Sequence, residues 1–535
     1  MRIDRPADET HQQKRPTVRV EELGAPDAGS TGTLTGNQGG LGHNLWREAT
    51  FSEIVGLMQR LPAANRSMAL HDLQRRLLLT VAMAPAEAPA AAFAQARLKA
   101  LMTMGASRDV VDLARRIKMT PAKPYPVIRA RFLTGDHKSA CALTAAVKER
   151  NAFVEMAQIT CHVLGGEAER AEIALRLLHE QGAPADSAFE AAVAAAATGQ
   201  PPEGLGKPYA LTIALLTQAK AVPGTFDLRP LPIAALTALS ANKQLKRLVR
   251  IRALEAALAR GAPVDGELST LYAAANVGAD KAAAAMLTRL KGFDVRSRAH
   301  LYLAAAAADN ASERLRILSA WWRLADAAAA KGDAAAEMLA ARQTTPFLKD
   351  IEPDATHQDH AASIARAYFA TGRVAAALAW YRVLKSAPFR NPADLHRVTA
   401  LAVISAQPDI RLVESWYAFK RGRDVRKANS QLADLKALLE GLGQEQAVTP
   451  LRGRVAAKGP SSIVTPVDRY RALRNAAVTR QRGMTVLHVL TLVNGRALQH
   501  VTRQLLREAV AALRIVGLER DARQLALEAA LARRL

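Results

Sequence analysis

Gly105, Gly135 and Gly165 stand about 30 residues apart, and each separates two stretches whose apolar residues recur at helical spacing. A glycine there supplies the left-handed or tight backbone that a short helix–helix turn needs. The flanking segments 97–116, 129–148 and 157–178 each read as helix, turn, helix. Recurrence at this period points to hairpins that bury their apolar faces only by stacking on one another.

The composition suits that reading. Half of the residues are hydrophobic but only 4% are aromatic, and alanine runs such as 194–197 and 304–308 supply much of the apolar content. Alanine favours helix, whereas strands prefer β-branched and aromatic residues. The expected fold class is all-α, a right-handed α-solenoid of antiparallel helical hairpins. A second echo supports it: residues 174–189 resemble 253–268, with Gly182-Ala183-Pro184 matching Gly261-Ala262-Pro263 and Asp186 matching Asp265.

The clearest unit covers 361–388. Ala365, Tyr368, Gly372, Ala377 and Tyr381 fall in the order and approximate spacing of the tetratricopeptide family, and Pro388 lies where that motif ends in proline. This unit resembles a tetratricopeptide repeat, and the other units keep the glycine and small residues but not the aromatics. The resemblance implies a protein-binding superhelix; the chain is also expected to hold no cofactor.

Residues 1–44, polar and then glycine-rich, are expected to form a disordered tail, with order starting at the capping box Thr50–Glu53. The array is expected over 45–445, with sub-block breaks near 198–208 and 222–232, both rich in glycine and proline. A basic linker follows at 446–466, and 467–535 reads as a helical cap. In that cap Leu527, Ala530, Leu531 and Leu535 share one face, and the opposite, charged face covers the open end.

Motifs for chemistry are few. Pro208 follows Gly204-Leu205-Gly206-Lys207 and breaks the pattern of a phosphate loop, and no HExxH, GxSxG or CxxC occurs. Gly56-Leu57-Met58-Gln59 resembles a short string of lytic transglycosylases. That family carries a Glu-Ser pair just upstream, where this chain has Glu53-Ile54. The chain therefore reads as a non-enzyme, and a cell-envelope role linked to wall metabolism stands as a third reading. His357 and His360, beside Asp354 and Asp359, have the spacing of a two-histidine metal face or of a polar helix start.

Cys141 and Cys161 lie equally far from Asn151, which sits in an expected turn. Equal arms of an antiparallel hairpin bring the two thiols level, within disulfide reach. A disulfide would suit an oxidising, periplasmic setting; two small core residues would suit a reducing one. No apolar run approaches the roughly 18–20 residues of a membrane span, and the first 16 residues lack the apolar core of a secretory signal. As written the chain reads as cytoplasmic, and as periplasmic if the true start lies upstream and the cysteines are bonded.

The net charge is +24. It reflects either compositional bias or an acidic partner. Lys243, Lys246, Arg247 and Arg250 have the spacing of one helical stripe. Lys420, Arg421, Arg423, Arg426 and Lys427, with Arg452, Arg454, Arg469, Arg471 and Arg474, make the C-terminal third strongly basic. Two functions follow. The first is a non-catalytic scaffold holding a protein partner on its repeat surface. The alternative is binding of nucleic acid or an anionic surface through the basic third.

Overall fold

The computed structural model describes residues 28–117, 123–180, 182, 186–204, 210–223, 226–276, 290, 292–333, 335–386, 391–406, 409–448 and 467–535. Among them the chain is all-helical, with about 25 helices and consecutive helices packed in pairs. Extended pairing is limited to two isolated bridges, Leu34 with Thr80 and Thr50 with Ala86. Thr50 and Glu53 form the expected capping box: Glu53 N–H donates to Thr50 Oγ1 at 3.4 Å and Thr50 N–H to Glu53 Oε2 at 3.1 Å. Asp136, Asn151, Asn310, Asn391 and Asp424 likewise head helices, each accepting from a backbone N–H of the first turn.

The expected hairpin turns are present. Gly105 and Gly135 have φ of 85° and 81°. At the third turn the left-handed residue is Gly166, at 78°, and Gly165 ends the helix Ala152–Leu164 in right-handed geometry. The tetratricopeptide-like unit forms the helices Gln358–Ala370 and Val374–Ser386, with Gly372 between them at φ 72°. Its Ala365, Tyr368, Ala377 and Tyr381 are all buried. Pro388 lies outside the described residues, as does Pro184 of the second echo. In that echo Gly182 and Gly261 are both left-handed, but the aspartates diverge. Asp186 caps the Ala188 N–H at 3.0 Å, whereas Asp265 lies inside its helix and pairs with Arg342.

Residues 28–44 depart from the expected disordered tail; residues 1–27 lie outside the described chain. Leu41 is 2% exposed, and the Leu41 N–H donates to Thr80 Oγ1 at 3.0 Å. The buried guanidinium of Arg97 donates to the carbonyls of Gly29, Thr31, Leu78 and Thr80 at 2.6–3.2 Å. A glycine-rich strap lets those carbonyls close on one cation. Burial lowers the Arg97 pKa to about 10, so it keeps its charge at neutral pH.

The C-terminal block is not a cap over an open end. The helix Glu519–Ala532 packs against Met68–Leu79, Gln358–Ala370 and Pro392–Ser405, and Arg482–Val493 packs against Met68–Leu79 and Phe51–Met58. The buried Glu528 accepts from Ser67 Oγ at 2.6 Å and from the Ala69 N–H at 3.0 Å, and Arg76 meets Asp521 at 2.7 Å. Helices near the two ends of the described chain therefore meet.

Two apolar cores result. One joins residues from 28–130 with residues from 301–535; the other is built almost wholly from 128–299. The second core runs through the helices Ser187–Thr198, Ala210–Gln218 and Ile233–Ala241. The described parts of 198–208 and 222–232 are thus loops within one core, not breaks between sub-blocks. Residues 449–466, most of the expected basic linker, lie outside the described residues.

Candidate functional site

The two cysteines form a disulfide, with Cα atoms 5.6 Å apart, joining the helices His137–Ala145 and Ala152–Leu164. Asn151, midway between them, caps the second helix through Val154 N–H at 3.1 Å. The histidine pair does not form a metal face. His357 precedes the helix Gln358–Ala370, and His360 Nδ1 lies 2.8 Å from Ser319 Oγ. Among the described residues no three His, Cys, Asp or Glu side chains come together as a ligand group. Gly56-Leu57-Met58-Gln59 closes the first helix, where Leu57 and Met58 are buried in the core.

The stripe expected from Lys243 to Arg250 is broken. The helix starts only at Arg247; Lys243 lies in the preceding turn and Lys246 immediately precedes the helix without a side-chain cap. Arg247 donates to the Ala274 carbonyl and Arg250 to the Ser240 carbonyl, the latter at 2.6 Å. These two arginines tie neighbouring turns together rather than line a free face.

Much of the C-terminal basic charge is also paired with carboxylates of the same chain. Arg474 makes a two-pronged pair with Glu508 at 2.6 and 2.7 Å, and Arg471 lies 3.9 Å from Asp468. Arg503 and Arg533 share Asp434 at 2.6 and 2.7 Å. Arg469 is exposed, and Arg452 and Arg454 lie outside the described residues.

The segment 420–427 differs. It forms the turn between the helices Ile410–Arg421 and Val425–Gly441, and carries Lys420, Arg421, Arg423, Arg426 and Lys427 within a stretch that holds one carboxylate. That carboxylate, Asp424, is occupied in capping the Lys427 N–H at 3.0 Å. Arg421, Arg423, Arg426 and Lys427 are exposed. Lys420 lies over the Trp416 ring at 5.6 Å and Arg423 over Phe419 at 4.5 Å, so cations cover both rings.

Charged residues of both signs lie below the turn. Burial, with the charges of Lys427, Arg366, Arg423 and Arg397, lowers the Lys420 pKa to about 8. Arg366 and Arg397 line a cavity of about 410 Å³, together with Arg66 and Arg260. Arg366 pairs with Glu337 at 2.5 Å, and Arg397 with Asp326. Burial, partly offset by Glu337, lowers the Arg366 pKa. Spacing along the chain gave no sign of this group, because Asp326, Glu337, Arg366, Arg397 and Lys420 come from five different helices.

No protein-family model matches the chain, and no curated protein or solved structure does so either. Among the described residues no helix is long and apolar enough to cross a membrane.

Proposed function

We propose that the protein is a non-catalytic helical-repeat binding module that holds an acidic segment of a protein partner at the 420–427 turn. The finer architectural reading is a tetratricopeptide-like right-handed superhelix. One observation carries the proposal: five cations, four of them exposed, lie in the single turn 420–427, and the one carboxylate in that stretch is used as a helix cap. Acidic side chains gain Coulomb energy there, and the aliphatic stems of Lys420 and Arg423, laid over rings, hold their charged ends in place.

A protein partner is favoured over nucleic acid because unpaired bases need open aromatic faces to stack on. Trp416 is buried and Lys420 covers it, while Arg423 covers Phe419. The Cys141–Cys161 bond fits work in an oxidising compartment.

The test is fluorescence anisotropy on the full chain with a labelled poly-glutamate peptide and a single-stranded oligonucleotide of equal length. The peptide is expected to bind more tightly, with affinity falling as salt rises. Combining Arg421→Glu, Arg423→Glu, Arg426→Glu and Lys427→Glu, all at exposed positions, should weaken it at least tenfold. Tighter binding of the oligonucleotide, or unchanged peptide affinity in that variant, overturns the proposal.

A further inference from the structure

A second cavity, about 930 Å³, lies away from the basic turn. Its size falls at the upper end of small-molecule sites, roughly 300–1,000 Å³. Phe132, Ile213, Ile233 and Leu254 give it apolar walls. Set among them are polar groups that the protein leaves unused. Ser107, Asn242 and His71 are 7%, 5% and 4% exposed. All three line the cavity, and Ser107 Oγ, Asn242 Nδ2 and His71 Nδ1 make no hydrogen bond among the described residues.

A buried polar atom without a partner is costly, so three on residues lining one cavity point to an occupant that completes them. Asn242 has a defined orientation. Its Oδ1 accepts from the Gln244 N–H at 2.9 Å, which leaves the amide Nδ2 as a donor. Ser107 opens the 11-residue helix Ser107–Ile117, so its hydroxyl sits beside first-turn N–H groups and the positive end of the helix dipole. His71 supplies a neutral ring: burial, then Arg342 and Arg75, lowers its pKa to about 4.

The charges around the cavity do not cancel. Arg75 pairs with Asp109 at 2.6 Å, and Arg108 with Glu267 at 2.8 Å. Arg250, also in the lining, donates to the Ser240 carbonyl and pairs with no carboxylate among the described residues. One uncompensated positive charge, a helix N-terminus and unused donors therefore share a cavity with apolar walls.

We infer that this cavity is a binding site for a small organic oxyanion with an apolar body, a carboxylate or a phosphate monoester. Ser107, Asn242 and Arg250 receive the oxyanion, and the apolar walls hold the body. This inference does not depend on the basic turn at 420–427, and the charge-reversed variant of that turn should bind the same probes unchanged.

Isothermal titration of the full chain would use octanoate, octyl phosphate, octanol and acetate. Octanoate, octyl phosphate or both should bind at least tenfold more tightly than octanol, which lacks the charge, and than acetate, which lacks the body. The stronger of the two anions tells a carboxylate ligand from a phosphate. Asn242→Leu should weaken that binding at least tenfold, and Arg250→Met should bring it to the level of octanol. Circular dichroism should show both variants folded, and Ser107→Val serves as an independent third if Arg250→Met does not fold. The inference is overturned if no probe gives heat, as for a cavity that holds only water. It is also overturned if octanol matches the anions, or if folded Asn242→Leu and Ser107→Val bind as the parent does.

Discussion

The helix His137–Ala145 buries only Ala140 and Thr144, so its attachment depends on the Cys141–Cys161 bond more than on packing. Replacing both cysteines with serine tests this with little loss of volume, because each is only half-buried. The bond closes a loop with a sequence separation of 20. The chain-entropy relation for that length gives about 11 cal/mol/K, or about 3 kcal/mol at 25 °C. The loss should appear first as local opening, because this helix gives the core formed by 128–299 only one fully buried apolar side chain, Ala140. Amide exchange over 137–145 should therefore accelerate by about two orders of magnitude. Urea unfolding followed by circular dichroism gives the global change, and exchange followed by mass spectrometry gives the local one. A loss below about 1 kcal/mol with unchanged exchange over 137–145 would refute the argument. So would alkylation of both thiols in protein unfolded without reductant.

Gly182 and Gly261 occupy matching positions of the echo but differ in their surroundings. A Cβ on Gly182 meets nothing within 4 Å, whereas one on Gly261 would lie 2.2 Å from the Asn65 carbonyl oxygen. Gly182→Ala should cost about 1 kcal/mol, from the left-handed backbone alone, and Gly261→Ala about 3 kcal/mol or more; equal losses in urea unfolding would contradict this. Burial raises the Glu528 pKa above its usual 4.5 despite the hydrogen bonds from Ser67 and Ala69. A raised carboxyl pKa means that the folded state holds the proton more tightly, so its effect on stability becomes less favourable as pH rises from about 4.5 through the folded pKa. Glu528→Gln should flatten that slope between pH 4 and 7, and an unchanged slope in the unfolding midpoints would count against it. Lys420, with a pKa near 8, is about half neutral at pH 8 and should acylate ahead of ordinary lysines there. Peptide mass spectrometry over a time course checks this, and labelling in step with exposed lysines such as Lys427 would refute it.

Local features of the fold were legible wherever neighbours in sequence decide the geometry. The capping box at Thr50, the left-handed Gly105 and Gly135, the 361–388 hairpin and the level cysteines all rest on contacts within about 30 residues. Misreadings arose where distant residues decide. The Ser67–Glu528 contact spans 461 residues, so the last helix looked like a lid when it is a wall. The glycine-rich stretch 28–44 has the composition of a tail, and it becomes a strap through distant partners: Arg97, reaching carbonyls 66 and 68 positions earlier, and the backbone of Leu79, Val81 and Ala82. The spacing of Lys243 to Arg250 fits a helix, but Asn242 and Gln244 close a turn that delays the helix until Arg247. Of the candidate sites, the 420–427 charges were visible as a run, but their extension to Arg366 and Arg397 was not. Ser107 and Asn242 carried no signal, since unpaired polar atoms are recognisable only once the surrounding walls are known.

The contact between Met68–Leu79 and the last helix, Glu519–Ala532, also restricts how this protein can change in length. An open stack can gain or lose a hairpin at either end and keep its other interfaces. Here Ser67 must reach Glu528 and Arg76 must reach Asp521. The core that joins 28–130 with 301–535 is separate from the one built by 128–299, so a hairpin gained or lost within 128–299 should leave those pairs in place. One gained or lost between 301 and 518 would pull them apart and expose the apolar faces of Met68–Leu79 and Glu519–Ala532 together. Change in length is thus tolerated in the second core and in the loops, and resisted in the first.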